Sequence, residues 1–174
     1  ASAGWEDPLV AKQLCAAAYD SWSPAFLSLA EDMEISSKIF DLDLAKLGHQ
    51  FIQKLFMIEL SRGEIQRRAY EKPQGYAGDF KMMELVQQDE LVGDTLFARF
   101  LQYLSQNMAL GQTVRARNDV AYEALREIIA RPRPTRIVSL ASGPAMELRR
   151  LLESIPKLDH KVEIFLVDQD EEAL

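Results

Sequence analysis

Five small or turn-forming residues, Ala141-Ser-Gly-Pro-Ala145, stand between an apolar run, Ile137-Val-Ser-Leu140, and a stretch of helical periodicity. Small side chains there let the backbone pass close to a ligand and then start a helix, whose first N–H groups can face an anionic group. About 25 residues past the glycine, Asp168 stands at the carboxyl tip of a second apolar run, Val162-Glu-Ile-Phe-Leu-Val167. An acid so placed can accept hydrogen bonds from two hydroxyls of a ribose. The pattern suits a nucleoside-type group and fits a dinucleotide poorly, because Gly-x-Gly-x-x-Gly is absent and only Gly143 survives. A tight strand-to-helix connection with no ligand has the same outline.

A second segment differs from its helical surroundings: Arg67-Arg-Ala-Tyr-Glu-Lys-Pro-Gln-Gly-Tyr-Ala-Gly-Asp-Phe-Lys-Met-Met83. Pro73, Gly75 and Gly78 predict a loop, and Asp79 is placed to cap a helix carrying Phe80, Met82, Met83 and Leu85. A compact loop with Tyr70, Tyr76 and Lys72 can cover a bound ligand, or can be an interhelical turn with its tyrosines packed inward. The basic clusters at Arg62, Arg67, Arg68 and Lys72, and at Arg115 and Arg117, read as solvated helix faces. His49 lies among Leu47, Phe51 and Ile52 and reads as a core or boundary residue. His160, in the polar stretch Lys157-Leu-Asp-His-Lys161, reads as solvated. No residues have metal-ligand spacing; Asp168 and Asp170 are isolated acids that could join metal ligands from elsewhere, so a metal is possible but unsupported by spacing. No Ser/His/Asp or Cys/His arrangement is visible, so no catalytic residue is assigned.

These residues must be positioned by two kinds of structure. Up to about residue 130 the periodicity is helical. Asp7-Pro8 opens a first helix, and Ser23-Pro24 is expected to break it from a second. Asp41 caps a segment with apolar residues at 3/4 spacing from Leu44 to Ile58. Further stripes run from Leu96 to Leu104 and from Val114 to Ile129. At Arg131-Pro-Arg-Pro134 the period changes, which sets a boundary between a helical region, 1–130, and an α/β region, 131–174. There the two apolar runs read as parallel strands, joined through a helix from Met146 to Ile155 that ends near Pro156. The predicted fold is a mostly α helical lid followed by the start of a Rossmann-like α/β core with a truncated parallel sheet.

Ile137 to Ala145, with Val167-Asp-Gln-Asp170, resembles the first two motifs of class I S-adenosylmethionine-dependent methyltransferases. The first of these is typically a strand, an acid and Gly-x-Gly-x-Gly; the second is an acid ending strand two. Here Ser139 stands where an acid is common, and Ala141 and Ala145 replace glycines, which a negative φ at both would tolerate. The loop narrows the resemblance. Tyr70-Glu-Lys-Pro-x-Gly-Tyr-x-Gly-Asp79, Gly93-Asp-Thr-Leu-Phe97, Arg115-x-Arg-Asn118, Leu140-Ala-Ser-Gly-Pro144 and Val167 to Leu174 together look like a bacterial group of methyltransferases of 3-hydroxypalmitic acid methyl ester biosynthesis. A similar helical lid precedes metal-dependent C-methyltransferase domains of some polyketide synthase loading modules.

The resemblance implies methyl transfer from S-adenosylmethionine to an acyl substrate, small or carrier-bound, most simply O-methylation of the carboxyl of a hydroxy fatty acid. It also implies that Gly143 carries the turn beside the methionine part and Asp168 the ribose contact; Ala141, Ser142 and Gln169 are the adjoining cofactor-binding candidates, and Tyr70, Tyr76 and Asp79 the candidate contacts from the lid. Lys72 or Arg117 is available for a substrate carboxylate. The alternatives are metal-dependent C-methylation and a non-catalytic helical module with a vestigial nucleotide-binding unit.

Bulk composition bounds these readings. The 174 residues carry a net charge of −7, against the basic face of a nucleic-acid binder. The single Cys15 excludes an internal disulfide and suits a reducing, cytoplasmic setting; its apolar neighbours suggest a buried thiol. No apolar run has the length of a membrane span. The start lacks both a signal-peptide pattern and an initiator Met, which points to an excised or processed chain. Two strands and one helix leave a sheet edge and an apolar face uncovered, so the second half of the core is expected elsewhere and this portion alone is expected to be inactive.

Overall fold

The computed structural model describes residues 4–39, 41–155 and 160–173. A 3-10 turn, Gly4–Glu6, leads into seven helices and two strands among these residues: α1 Pro8–Ser37, α2 Leu42–Leu60, α3 Glu64–Glu71, α4 Phe80–Gln87, α5 Leu96–Asn107, α6 Ala109–Ile129, β1 Thr135–Leu140, α7 Met146–Ser154 and β2 Val162–Val167. A second 3-10 turn, Glu171–Ala173, follows. The expected helix end at Pro156 lies outside the described residues, although α7 stops at Ser154.

Helix starts obey their local chemistry. Pro8 occupies the first position of α1, where its missing N–H costs nothing, and Asp7 Oδ1 accepts from the N–H of Leu9 at 2.8 Å. Asp41 and Asp79 cap α2 and α4 through the N–H groups of Leu44 and Met82, both at 2.8 Å. The break expected at Ser23-Pro24 is absent: α1 runs for 30 residues with Pro24 inside it. Pro24 has no N–H for the Asp20 carbonyl, but Trp22 stacks on Phe26 across the proline, with ring centroids 4.4 Å apart, and holds the two halves together.

Compactness divides the chain differently from the change of period at residue 131. One unit comprises residues up to Arg67 with Glu90–Leu104; the other comprises Arg68–Asp89 with Ser105–Leu174. In the first, Ala11 and Cys15 of α1 and Ala98 and Leu101 of α5 are buried. Tyr19 meets Tyr103 edge-on at 5.9 Å, and Trp22 meets Phe100 at 6.0 Å. Gln102, fully buried, accepts from Val92 N–H and donates to the Glu90 carbonyl, which stitches the approach to α5 onto that helix. Burial pushes the Cys15 thiol up, so it stays protonated.

In the second unit β1 and β2 pair in parallel, with Ile137 opposite Ile164 and Leu140 opposite Val167. Tyr122 and Ile129 of α6, with Ala145, Leu148 and Leu151 of the turn and α7, form a core onto which Ile137, Val162 and Ile164 pack. The opposite sheet face, Val138, Leu140, Phe165 and Val167, is between 48% and 74% exposed. Gln106, almost fully buried, donates to the carbonyls of Leu85 and Gln88 and so satisfies the C-terminal end of α4, which packs on α6. His160 is half-buried rather than solvated, with its Nε2 3.0 Å from the Ile129 carbonyl. His49 is exposed, with its Nε2 3.0 Å from Gln53 Nε2, so it is not the core or boundary residue expected.

Candidate functional site

The register of the sheet brings the two strand tips together, and everything else at the site follows from that. Beyond the Leu140–Val167 pair, Ser142 N–H donates to the Val167 carbonyl at 3.2 Å, and Ala145 N–H closes a turn onto the Ser142 carbonyl at 3.0 Å. Inside this turn Ala141, Gly143 and Ala145 all have positive φ, of 51°, 51° and 46°. The condition under which the two alanines would be tolerated without strain, a negative φ, is therefore not met. The chain keeps the left-handed conformation at the three positions where the resembled motif has glycines, and accepts a methyl at two of them. Each such methyl is strained by about 1 kcal/mol. Ala145 is also the residue before α7, and its side chain offers no acceptor to the first-turn N–H groups of that helix.

Asp168 is tied into this turn. Its Oδ2 accepts from Gly143 N–H at 2.7 Å and its Oδ1 from Asp170 N–H at 2.9 Å. The Gly143 bond first, then the Asp170 and Gln169 N–H groups, hold the carboxyl below the ordinary aspartate range, outweighing a small opposing effect of desolvation. Asp168 is thus a fixed anion at neutral pH. A carboxylate has about four acceptor directions, so this pair of bonds leaves room for further donors. Two buried polar atoms nearby have no partner among the described residues: Ser142 Oγ, on a residue 8% exposed, and Asp170 Oδ2. Gln169 is exposed.

The loop expected between α3 and α4 is present, with Lys72, Gly75 and Gly78 all at positive φ and Gly75 N–H donating to the Lys72 carbonyl at 2.7 Å. Tyr76 lies on it and is 38% exposed, whereas Tyr70 belongs to the last turn of α3 and is 55% exposed, so neither packs inward. Phe80, where the loop enters α4, stands close to Gly143: a methyl built on that glycine would lie 4.0 Å from Phe80 Cβ and, among the described residues, otherwise in open space. The fold therefore brings the start of α4 beside the turn, and leaves room on the side of Gly143 where a Cβ would stand.

Asp79 is occupied otherwise than as a ligand contact. It is 2% exposed, caps α4, and binds Arg68 through Oδ1 at 3.2 Å and Oδ2 at 2.6 Å. Burial works to raise its pKa, but the Arg68 hydrogen bond and charge and the Met82 N–H together hold it below the usual value. Arg68 is therefore not a solvated face residue, as its sequence neighbours suggested; its side chain is 19% exposed. Eleven positions separate Arg68 from Asp79, and only the closure of the loop reveals the pair. Lys72 and Arg117 are exposed, without an ion pair among the described residues; the neighbouring Arg115 binds Asp89 at 3.0 Å. Phe80 had no sequence signal beyond its place in an apolar stripe.

Among the described residues no three His, Cys, Asp or Glu side chains gather as a metal site, and no helix is long and apolar enough to cross a membrane. The chain matches no protein-family model, no curated protein and no solved structure.

Proposed function

We propose that this chain carries part of an S-adenosylmethionine-dependent methyltransferase site that acts on an acyl carboxylate. The observation that supports the reading most directly is the seating of Asp168 on the N–H of Gly143, at the tips of two parallel strands and beside three left-handed residues. A nucleoside fits this arrangement: the clear space over Gly143 admits close backbone approach, and the Asp168 carboxylate keeps acceptor capacity for a pair of sugar hydroxyls. The unpartnered Ser142 Oγ and the uncapped start of α7 supply further polar groups.

In this reading Asp168, with Gln169 next to it, holds the ribose, and Ala141, Ser142 and Gly143 line the path of the methionine part. Tyr70, exposed at the end of α3, and Tyr76, on the loop that follows, close over the ligand and exclude water. Asp79 and Arg68 anchor the end of that loop instead of touching the ligand. Lys72 or Arg117 pairs with the substrate's carboxylate. S-adenosylmethionine supplies a methyl group made electrophilic by its sulfonium. A carboxylate is ionised at neutral pH and needs no general base, so the protein's part is alignment and desolvation. The acyl side of the site is formed by polypeptide that pairs with the free sheet edges and covers the bare face of Val138 and Phe165.

Titration calorimetry with S-adenosylmethionine, on the longest chain containing these residues, tests the reading. Micromolar binding is expected, weakened about 10- to 100-fold by Asp168→Ala, the range for a hydrogen bond to a charged group. Binding absent at millimolar ligand sinks the proposal and leaves a helical module whose nucleotide-like unit is idle. Methyl ester formation from a free hydroxy fatty acid supports O-methylation; a metal-dependent product methylated at carbon would move the activity to the other acyl chemistry.

A further inference from the structure

A strand-to-helix turn holds a phosphate by pointing several free backbone N–H groups at it. Here those groups are committed elsewhere. Ser142 N–H donates to the Val167 carbonyl at 3.2 Å, and Ala145 N–H to the Ser142 carbonyl at 3.0 Å. Pro144 has no N–H to offer. That leaves Gly143 N–H, and Asp168 Oδ2 accepts from it at 2.7 Å. The anion on this turn is therefore a carboxylate of the chain itself.

The charge around the turn acts in the same direction. Asp170 N–H donates to Asp168 Oδ1 at 2.9 Å, and Asp170 Oδ1 accepts from Glu172 N–H at 3.1 Å. Among the described residues the donors to both carboxylates are backbone N–H groups, with no Lys or Arg side chain among them. Neither strand tip brings a cation of its own, since no Lys or Arg occurs in residues 137–148 or 164–174. A phosphate group carries about −1.5 to −2 charge near neutral pH. On this turn it must displace Asp168 from Gly143 or sit beside it, and like charges side by side repel partners. Resting on the nucleoside reading above, we infer that Asp168, seated on Gly143 N–H, determines specificity: the corner takes nucleosides whose sugar bears a neutral or cationic group on its exocyclic carbon, and turns away nucleotides with a phosphate there. A sulfonium belongs to the accepted class; AMP shares the adenosine and brings the wrong charge.

Titration calorimetry on the longest chain containing these residues, with S-adenosylmethionine, methylthioadenosine and AMP, decides it. Methylthioadenosine is neutral and close to AMP in size, so it separates charge from bulk. It is expected to bind at least ~10-fold more tightly than AMP. Asp168→Asn keeps the shape and an acceptor for Gly143 N–H but removes the charge; it should weaken methylthioadenosine, tighten AMP and close most of the gap. Asp170→Asn leaves both backbone bonds to Asp168 in place and should narrow the gap part of the way, which supplies a second variant if Asp168→Asn does not fold. AMP bound as tightly as methylthioadenosine overturns the inference while the S-adenosylmethionine reading stands, and so does a gap that neither variant narrows. No binding of S-adenosylmethionine or methylthioadenosine at millimolar concentration overturns that reading, and the inference with it.

Discussion

Gly143, Ala141 and Asp79 respond to substitution through three different physical effects. Gly143→Ala places a methyl in open space at φ 51°, so its stability cost is backbone strain alone, about 1 kcal/mol. The same methyl enters the space over the turn, and ligand affinity should fall far more than stability; parallel urea and calorimetric titrations would separate the two. Ala141→Gly acts in reverse, because it relieves strain at an exposed position at the expense of a more flexible unfolded chain. The expected net is a gain of a few tenths of a kcal/mol up to about 1. Asp79→Asn leaves Arg68 without its anionic partner in a largely buried setting and should cost about 3 kcal/mol. Because the folded pKa of Asp79 lies below the unfolded value, its contribution is complete above about pH 4 and is lost as pH falls through the folded value. Urea midpoints measured between pH 2 and 5 should therefore drop more steeply for the parent than for Asp79→Asn. Asp79 as a cap was legible from its place before an apolar stripe. Its partner was not, since Arg68 looks like any other arginine on a basic helix until the loop closes. The hand of the turn at Ala141 and Ala145 was not legible for a related reason: side-chain size says a turn is tight, but only the backbone says which hand it takes.

Elements were legible where a cap and a period coincide. Asp7-Pro8, Asp41 and Asp79 each start a helix as read, and the prolines around Arg131 mark the end of helical periodicity. Pro24 was the exception. Its local rule, no N–H for the residue four back, is correct; tertiary contacts of Trp22, Phe26 and Phe100 override it. The residue thus remains a weak point within α1. Pro24→Ala should restore the bond to the Asp20 carbonyl and raise stability by about 1–3 kcal/mol, seen as a higher thermal midpoint with no loss of helical signal. An unchanged midpoint would mean that the chain around Asp20 already satisfies that carbonyl in another way. The parallel pairing of β1 and β2 was also readable, because two short apolar runs flanking a helical period leave few other arrangements. Which sheet face is covered was not readable, as both are apolar.

For the whole molecule, the balance of covered and bare surfaces sets the behaviour. The sheet has α6 and α7 on one side and Val138, Leu140, Phe165 and Val167 facing water on the other. Apolar patches of this kind invite association. In the 174 residues by themselves, without the covering polypeptide proposed above, Leu140→Lys with Phe165→Lys should reduce hydrophobic-dye binding while shifting the unfolding free energy by no more than ~0.5 kcal/mol, as for exposed positions. A loss of several kcal/mol would show that the face is buried in solution. Sequence periodicity could announce these apolar faces but not which of them stay open, because that depends on elements far apart in the chain.

The bond between Asp168 and the Gly143 N–H bears on how fast and how tightly a sugar could be held. A free aspartate gives up rotamer entropy when it grips a ligand, typically about 0.5–1.5 kcal/mol for an immobilised side chain. Here the carboxylate is already oriented by two amides, so that loss belongs to folding and recognition begins from a preorganised acceptor. Binding at this corner should then be governed by encounter and dehydration, with no rearrangement of the anion to wait for.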